Sequence, residues 1–195
     1  MDKGRLSLIF QPIVSLHGQM AEVFQVEVQL EDEYGNVVDH DALMASAAGQ
    51  EVGLNLDRWI LEQLLIMVQQ PTGAGAGAHL FVRLSDEAVT EPTVVLHLSR
   101  LLKQVDIDPG RLIFEVSETA ASAQVRFAKG FVTALKRIGC CVALARYGAG
   151  SNSFRALKHL AVDYLKIDEA ITAEILDNRE HLEELSNSTN GALVE

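Results

Sequence analysis

Cysteine is scarce: there are two, Cys140 and Cys141, in 195 residues. Sequence neighbours on a strand point to opposite faces. The pair therefore excludes the disulfide framework of a small secreted domain and reads as two small buried residues in a reducing compartment. Basic charge is also short, since 16 Lys and Arg against 27 Asp and Glu leave the chain at −11. Nucleic acid and anionic membrane both need clustered cations. Both are excluded as partners, whereas one bound nucleotide needs only a local pocket. No run of about 18 uninterrupted apolar residues occurs, and the N-terminus, MDKGRLSLIF, lacks an apolar signal core. The chain reads as cytoplasmic. The histidines (His17, His40, His79, His97, His159, His181) show no metal-ligand spacing. Glycines are frequent in Pro71–Ala78 (PTGAGAGA), but no Lys-Ser/Thr follows them, so this is a flexible connector and not a phosphate cradle.

What the chain does have is an ordinary globular composition, 48% hydrophobic and 22% charged. Its length suits one domain, which at this size hides roughly 70% of the surface of the unfolded chain. Leu6–Phe10 reads as a strand closed by Gln11-Pro12, with a turn at Leu16-His-Gly18. Ala21–Leu30 alternates, with Val26, Val28 and Leu30 on one face and Glu27 and Gln29 on the other. Asp41 is the expected N-cap of a helix over Ala42–Ala48, and Leu56–Val68 carries apolar residues at helical spacing. Further units follow: a strand at His79–Leu84, a helix at Thr93–Gln104 and a strand at Leu112–Val116. A helix at Gln124–Ile138 stops at Gly139 with a left-handed cap. Ile171–Leu176 is weakly helical before a polar tail.

The stretch Cys140–Asp168 then gives strand, glycine-punctuated loop, amphipathic helix and strand, the unit of a parallel sheet. Two opening strands followed by helix–strand repeats imply an α/β barrel or barrel-like sheet. A full eight-stranded barrel takes about 250 residues. Six strands are convincing here, so the closing part of the barrel is expected to be missing, truncated or supplied by another chain. The expected division is a barrel domain over 1–170, then a C-terminal helix and disordered tail over 171–195.

Several segments together resemble the EAL domain family, which hydrolyses or senses cyclic di-GMP. They are Gln11-Pro-Ile-Val14, Asp57-Arg-Trp59, Leu84-Ser85, Phe114-Glu-Val-Ser-Glu118, the Tyr147–Gly150 loop, and Val162-Asp-Tyr-Leu-Lys-Ile-Asp168. The resemblance implies an EAL-type TIM-like (β/α) barrel, incomplete at its C-terminal end. In active members, strand-end carboxylates hold two divalent metals that activate water on a phosphodiester. By that resemblance Glu27 and Glu115 match metal glutamates, Lys166 the lysine near the attacking water, and Glu118 the glutamate that steadies the glycine loop.

Departures from the pattern are heavy. Arg83 stands where the family has a metal-binding asparagine, Ala145 and Arg146 stand for its two metal-binding aspartates, and Val28 and Gln29 replace the Ala-Leu of its signature. Two positive charges about 4 Å apart repel by roughly 4 kcal/mol at an effective dielectric of about 20. Guanidinium groups at ligand positions therefore oppose a dication. The resemblance so altered implies no catalysis, with Glu27, Glu115 and Lys166 vestigial, no cofactor, and a vestigial magnesium or manganese site. The loop and strand motifs are most similar to the non-catalytic FimX-like EAL domains associated with type IV pili, which bind the dinucleotide without cleaving it.

Candidate ligand-binding residues are then Gln11, Arg83, Arg146, Glu118 and Asp168, with cyclic di-GMP and a PilZ-type or other signalling protein as implied partners. Against binding, Glu31 stands where the family places a phosphate-gripping arginine, and Gln29 where a leucine packs on guanine. Carboxylates left without metal need partners, so Arg83 and Arg146 are expected to pair with Glu27 or Glu115. Metal-dependent phosphodiesterase activity and self-association through an open sheet edge remain the alternatives.

Overall fold

Period-two alternation along the strands decides the architecture, because it sends one set of side chains toward the helices and the other into the concave face of a curved sheet. In the computed structural model, residues 5–15, 22–49, 51–69, 77–150, 157–177 and 193–194 are described. The chain runs β1 (Arg5–Ile13), β2 (Val23–Glu31), β3 (Val37–Val38), α1 (His40–Ala47), α2 (Glu51–Val68), β4 (His79–Arg83), α3 (Pro92–Leu102), β5 (Leu112–Ser117), α4 (Glu118–Ala123), α5 (Val125–Arg137), β6 (Cys141–Tyr147), β7 (Tyr164–Ile167), α6 (Glu169–Asp177) and β8 (Leu193–Val194). Among these residues the sheet order is β1-β2-β4-β5-β6-β7-β8, with β3 paired to β2. β1 and β2 are antiparallel, and every pair from β2–β4 onward is parallel. This is the expected mixed α/β barrel-like sheet, open at both described edges.

On the convex face Val26, Leu80, Val82, Phe114, Val142 and Leu144 are at most 1% exposed and pack under α2, α3 and α5 in one continuous core. Full burial of each such side chain stabilises by roughly 1.5–3 kcal/mol, so this layer holds the fold together. A smaller apolar cluster, Phe81, Ile113 and Ala143 with Ile13, Val23, Cys141 and Tyr164 against it, plugs the concave face near the strand starts. Phe81 and Tyr164 meet edge to face with centroids 5.4 Å apart. Cys140 lies in the outer core and Cys141 beside the inner cluster, so the two thiols face opposite ways.

Local differences from expectation have physical causes. β1 does not end at Gln11-Pro12 but runs to Ile13, with Pro12 opposite Phe24. β1 is the first strand in the sheet order, where the missing proline N–H leaves no ladder partner unsatisfied. Asp39, not Asp41, caps α1: its side chain accepts from Ala42 N at 2.9 Å. This starts the helix at His40 and turns that ring inward, where Nδ1 accepts from Val28 N. α4 was not anticipated; Ser117 caps it by accepting from Ala120 N at 3.0 Å. Gly139 does end α5 with φ +92°, and Cys140 N donates back to Leu135 O. The turn expected at Leu16–Gly18, most of the 71–78 connector, the helix start after Gly150 and the 178–192 tail lie outside the described residues.

Candidate functional site

The strand register lines up the polar concave residues toward the strand ends. Gln11 lies opposite Gln25, Ile9 opposite Glu27, Arg83 beside Glu115, and Ser117 beside Ala145. Two residues before Glu115 and Arg83 this face is the apolar plug of Ile113 and Phe81. The concave face is therefore dry at its base and charged at its rim, the rim being the end where barrels of this type carry function.

At the centre is a three-residue arrangement. Glu115, with its side chain only 2% exposed, accepts from Lys166 Nζ at 2.5 Å. The same ammonium donates to Gln25 Oε1 at 2.6 Å and stands 5.6 Å from the Phe81 ring centroid. An ammonium has three donors; two are hydrogen-bonded and the ring face adds a cation–π contact. Gln25 is itself fixed by donating to Phe81 O at 3.4 Å. Sequence reasoning missed Gln25, although its place two residues before Glu27 puts it on the same face.

The arginines do not go where expected. Arg83 pairs with Asp41 of α1, and Arg146 approaches Asp86 at 3.9 Å. Neither meets Glu27 or Glu115. The reason is geometric: Lys166, rising from β7, already satisfies Glu115. Arg83 at the last residue of β4 reaches outward to the first turn of α1. Arg146 is swung away by a break in the β6–β7 register between Leu144 and Tyr147 and by its left-handed backbone, φ 55°. Glu27 is half-buried, with no hydrogen bond or ion pair of its side chain among the described residues. Gln11 is exposed on β1.

Glu118 and Asp168 are occupied by backbone. Glu118, 3% exposed, accepts from Gly148 N at 2.7 Å, and a side chain at Gly150 would bring a Cβ within 2.5 Å of its Oε1. Asp168 accepts from Ala170 N at 3.0 Å and so caps α6. Asp86 also accepts from Ser117 Oγ at 2.8 Å, tying the turn after β4 to the end of β5.

Two buried groups behind the rim have shifted protonation. Asp57 is 0% exposed and accepts from Ser85 N at 2.8 Å and Ser85 Oγ at 2.6 Å. Burial pushes its carboxyl up to about 6, against the lowering effect of the serine bonds. The Asp57-Arg-Trp59 and Leu84-Ser85 motifs thus meet as one brace between α2 and the end of β4. His40 is pushed down to about 4, first by burial and then by the nearby Arg83 charge. Its ring stays neutral.

Do these residues suit a pair of divalent ions? Hard cations take several oxygen ligands, many of them anionic. Of the positions that the resemblance matches to metal ligands, only Glu27 and Glu115 offer carboxylates. Arg83 lies on the strand between them, Lys166 holds Glu115, and Ala145 offers nothing. No group of three His, Cys, Asp or Glu converges among the described residues. Among the described residues, then, the strand ends do not assemble the several anionic oxygens that a metal pair takes. No helix of the described residues is long and apolar enough to cross a membrane.

Comparison with known proteins agrees with the architecture. The model of the EAL domain matches residues 1–190. Cyclic di-GMP phosphodiesterase PdeF of Escherichia coli is 27% identical over 179 residues, covering 91% of this chain and 24% of that protein. PdeB of Shewanella oneidensis, also named a cyclic di-GMP phosphodiesterase, is 21% identical over 91% of this chain and 21% of its own length. The chain therefore spans about a quarter of the curated relatives it matches. Among solved structures, the FimX EAL domain of Pseudomonas aeruginosa bound to c-di-GMP superposes with a TM-score of 0.85 at 28% identity, covering 97% of this chain and 78% of that one. The Xanthomonas citri FimX EAL domain in complex with c-diGMP gives 0.80 at 26% identity, covering 97% and 76%. With the family model matching nearly its whole length and the fold superposing closely on solved EAL domains, the chain belongs to the EAL domain family.

Proposed function

We propose that this EAL domain works in cyclic di-GMP signalling as a non-catalytic module that takes the dinucleotide as a signal. The observation that carries the reading is Lys166 bonded to both Glu115 and Gln25, with Arg83 on the strand beside Glu115. A dication would have to displace that ammonium, with a cationic residue on the neighbouring strand and Glu27 as the one other carboxylate matched to a metal ligand.

The same charges favour an anionic ligand. The Arg83–Asp41 and Arg146–Asp86 pairs are solvent-exposed, and such pairs contribute roughly 0–1 kcal/mol. Each guanidinium is free to exchange its carboxylate for a phosphodiester, which it grips with two parallel hydrogen bonds. Gln11 supplies a further polar contact on the open side. Glu118 and Asp168 act indirectly, by holding the Gly148 loop and the start of α6. A PilZ-type or other signalling protein, self-association, a cytoplasmic setting, and the division into a 1–170 domain and a 171–195 tail belong to the same reading.

Calorimetric titration with cyclic di-GMP, with and without manganese, combined with chromatography of the products, tests it. Saturable binding without linear product is expected. Formation of linear dinucleotide overturns the non-catalytic reading, and absence of heat overturns the receptor reading. One observation favours metal-dependent hydrolysis as the second reading: Glu27 lacks a partner among the described residues, as a metal ligand awaiting its ion would.

A further inference from the structure

Helix α5 carries four of the 16 basic residues of the chain and none of its 27 acidic ones. Lys136 is spent on an ion pair with Asp163. Arg126, Lys129 and Arg137 have no carboxylate within ion-pairing distance among the described residues, although the chain as a whole is strongly acidic. All three are exposed and surround one shallow depression on the face of α5, whose floor is Gly130, Thr133 and Ala134. Helical spacing explains the layout: 126, 130, 133 and 137 fall on one stripe, with Lys129 on one flank and Ala134 on the other.

Gly130 is the independent observation. It sits in the interior of the helix, and a Cβ built there meets nothing within 4 Å. Glycine at such a place costs about 0.5–1 kcal/mol relative to alanine. No contact among the described residues accounts for it. Phe127, one residue from the stripe, is 53% exposed on the same side as Ala134. A floor of small residues, an exposed aromatic beside it and a cationic rim suit a protein interface, whose rim is polar and solvent-accessible and whose centre favours aromatic side chains.

We infer that the outer face of α5 is a docking surface for an acidic helix of a partner protein. A helix suits it because Gly130, Thr133 and Ala134 leave a trough between the residue rows of α5, and a trough of this kind takes a row of another helix. Acidic side chains suit it because Arg126 and Arg137 lie about 16 Å apart along the axis, within reach of carboxylates repeated over three turns. The surface is separate from the concave rim, on the opposite side of the sheet.

The test is selection from a displayed library of helical peptides, randomised along one face, against the full chain, after which the enriched peptides are titrated against the Arg126→Glu/Arg137→Glu variant. Expected are peptides rich in Asp and Glu at intervals of three or four residues around a small central residue, with affinity lost at least about tenfold on the double charge reversal. Gly130→Ala separates binding from structure. It should raise the melting temperature by a few degrees while weakening the selected peptides about fivefold. Absence of acidic enrichment, or binding indifferent to charge reversal, overturns the inference. So does a wild-type dimer in sedimentation that Arg126→Glu abolishes, or binding of anionic phosphatidylserine vesicles by the same three cations.

Discussion

Replacing Lys166 by methionine keeps most of the aliphatic stem and removes the ammonium that holds the buried Glu115. A buried carboxylate stripped of its partner destabilises by about 3–5 kcal/mol. Lys166→Met should therefore unfold at clearly lower denaturant, and adding Glu115→Gln should restore most of the loss, as a double-mutant cycle in urea would show. Asp57 and His40 give a pH prediction of opposite signs. The folded carboxyl of Asp57 lies at about 6 against an ordinary 3.8, so stability rises as pH falls from about 6 to 3.8. The folded ring of His40 lies at about 4 against 6.5, so stability falls over nearly the same window. Each shift is worth about 3 kcal/mol, and the two nearly cancel. Unfolding free energy should thus change little through these groups between pH 6.5 and 4. Asp57→Asn should expose a loss on acidification and His40→Asn a gain; matching slopes in the two variants would refute the assignment.

The loop after β6 is the element on which the rim depends, and its glycines are constrained from opposite sides. Gly148 has φ +94°, and a Cβ there would lie 1.9 Å from Ile171 Cδ1 of α6. Gly148→Ala should cost about 2 kcal/mol, roughly half from the left-handed backbone. The steric half should vanish in an Ile171→Ala background, which thermal unfolding of the four variants would resolve. This element was half legible in the sequence. Its glycines, the strands around it and the left-handed stop at Gly139 follow from residue type and periodicity. The partners of Arg83 and Arg146 do not, because Asp41 and Asp86 come from α1 and from the turn after β4, and the break in the β6–β7 register that swings Arg146 away leaves no mark in hydrophobic pattern. α4 was hidden for a different reason: six residues are too few to show a period, and only Ser117, a good cap, announced it.

At the scale of the whole molecule the fold and the site rest on different layers. The convex core under α2, α3 and α5 involves none of the rim charges, so the alternation that encodes the barrel survives whatever happens at the strand ends. That is why the architecture could be read from apolar spacing, whereas the state of the rim turned on a few charged side chains. It follows that the site can be rewritten without losing the fold. The triple change Arg83→Asn, Ala145→Asp and Arg146→Asp removes two cations and adds two carboxylates, one at the buried position 145 and one at the exposed position 146. Aspartate is also among the residues that tolerate the left-handed backbone at 146. Manganese then gains an anionic oxygen ligand at position 145, on the strand next to that of Glu115, and loses two nearby guanidinium groups, which lets it compete with Lys166 for Glu115. An ion that binds only the folded state stabilises it by about 2.7 kcal/mol at a hundred times its dissociation constant. The triple variant should show that rise in thermal unfolding as manganese is added, and the unmodified chain should show none. A manganese-dependent rise in the unmodified chain would mean that Glu27 and Glu115 suffice despite Arg83 and Lys166, and the electrostatic case against catalysis would fail with it.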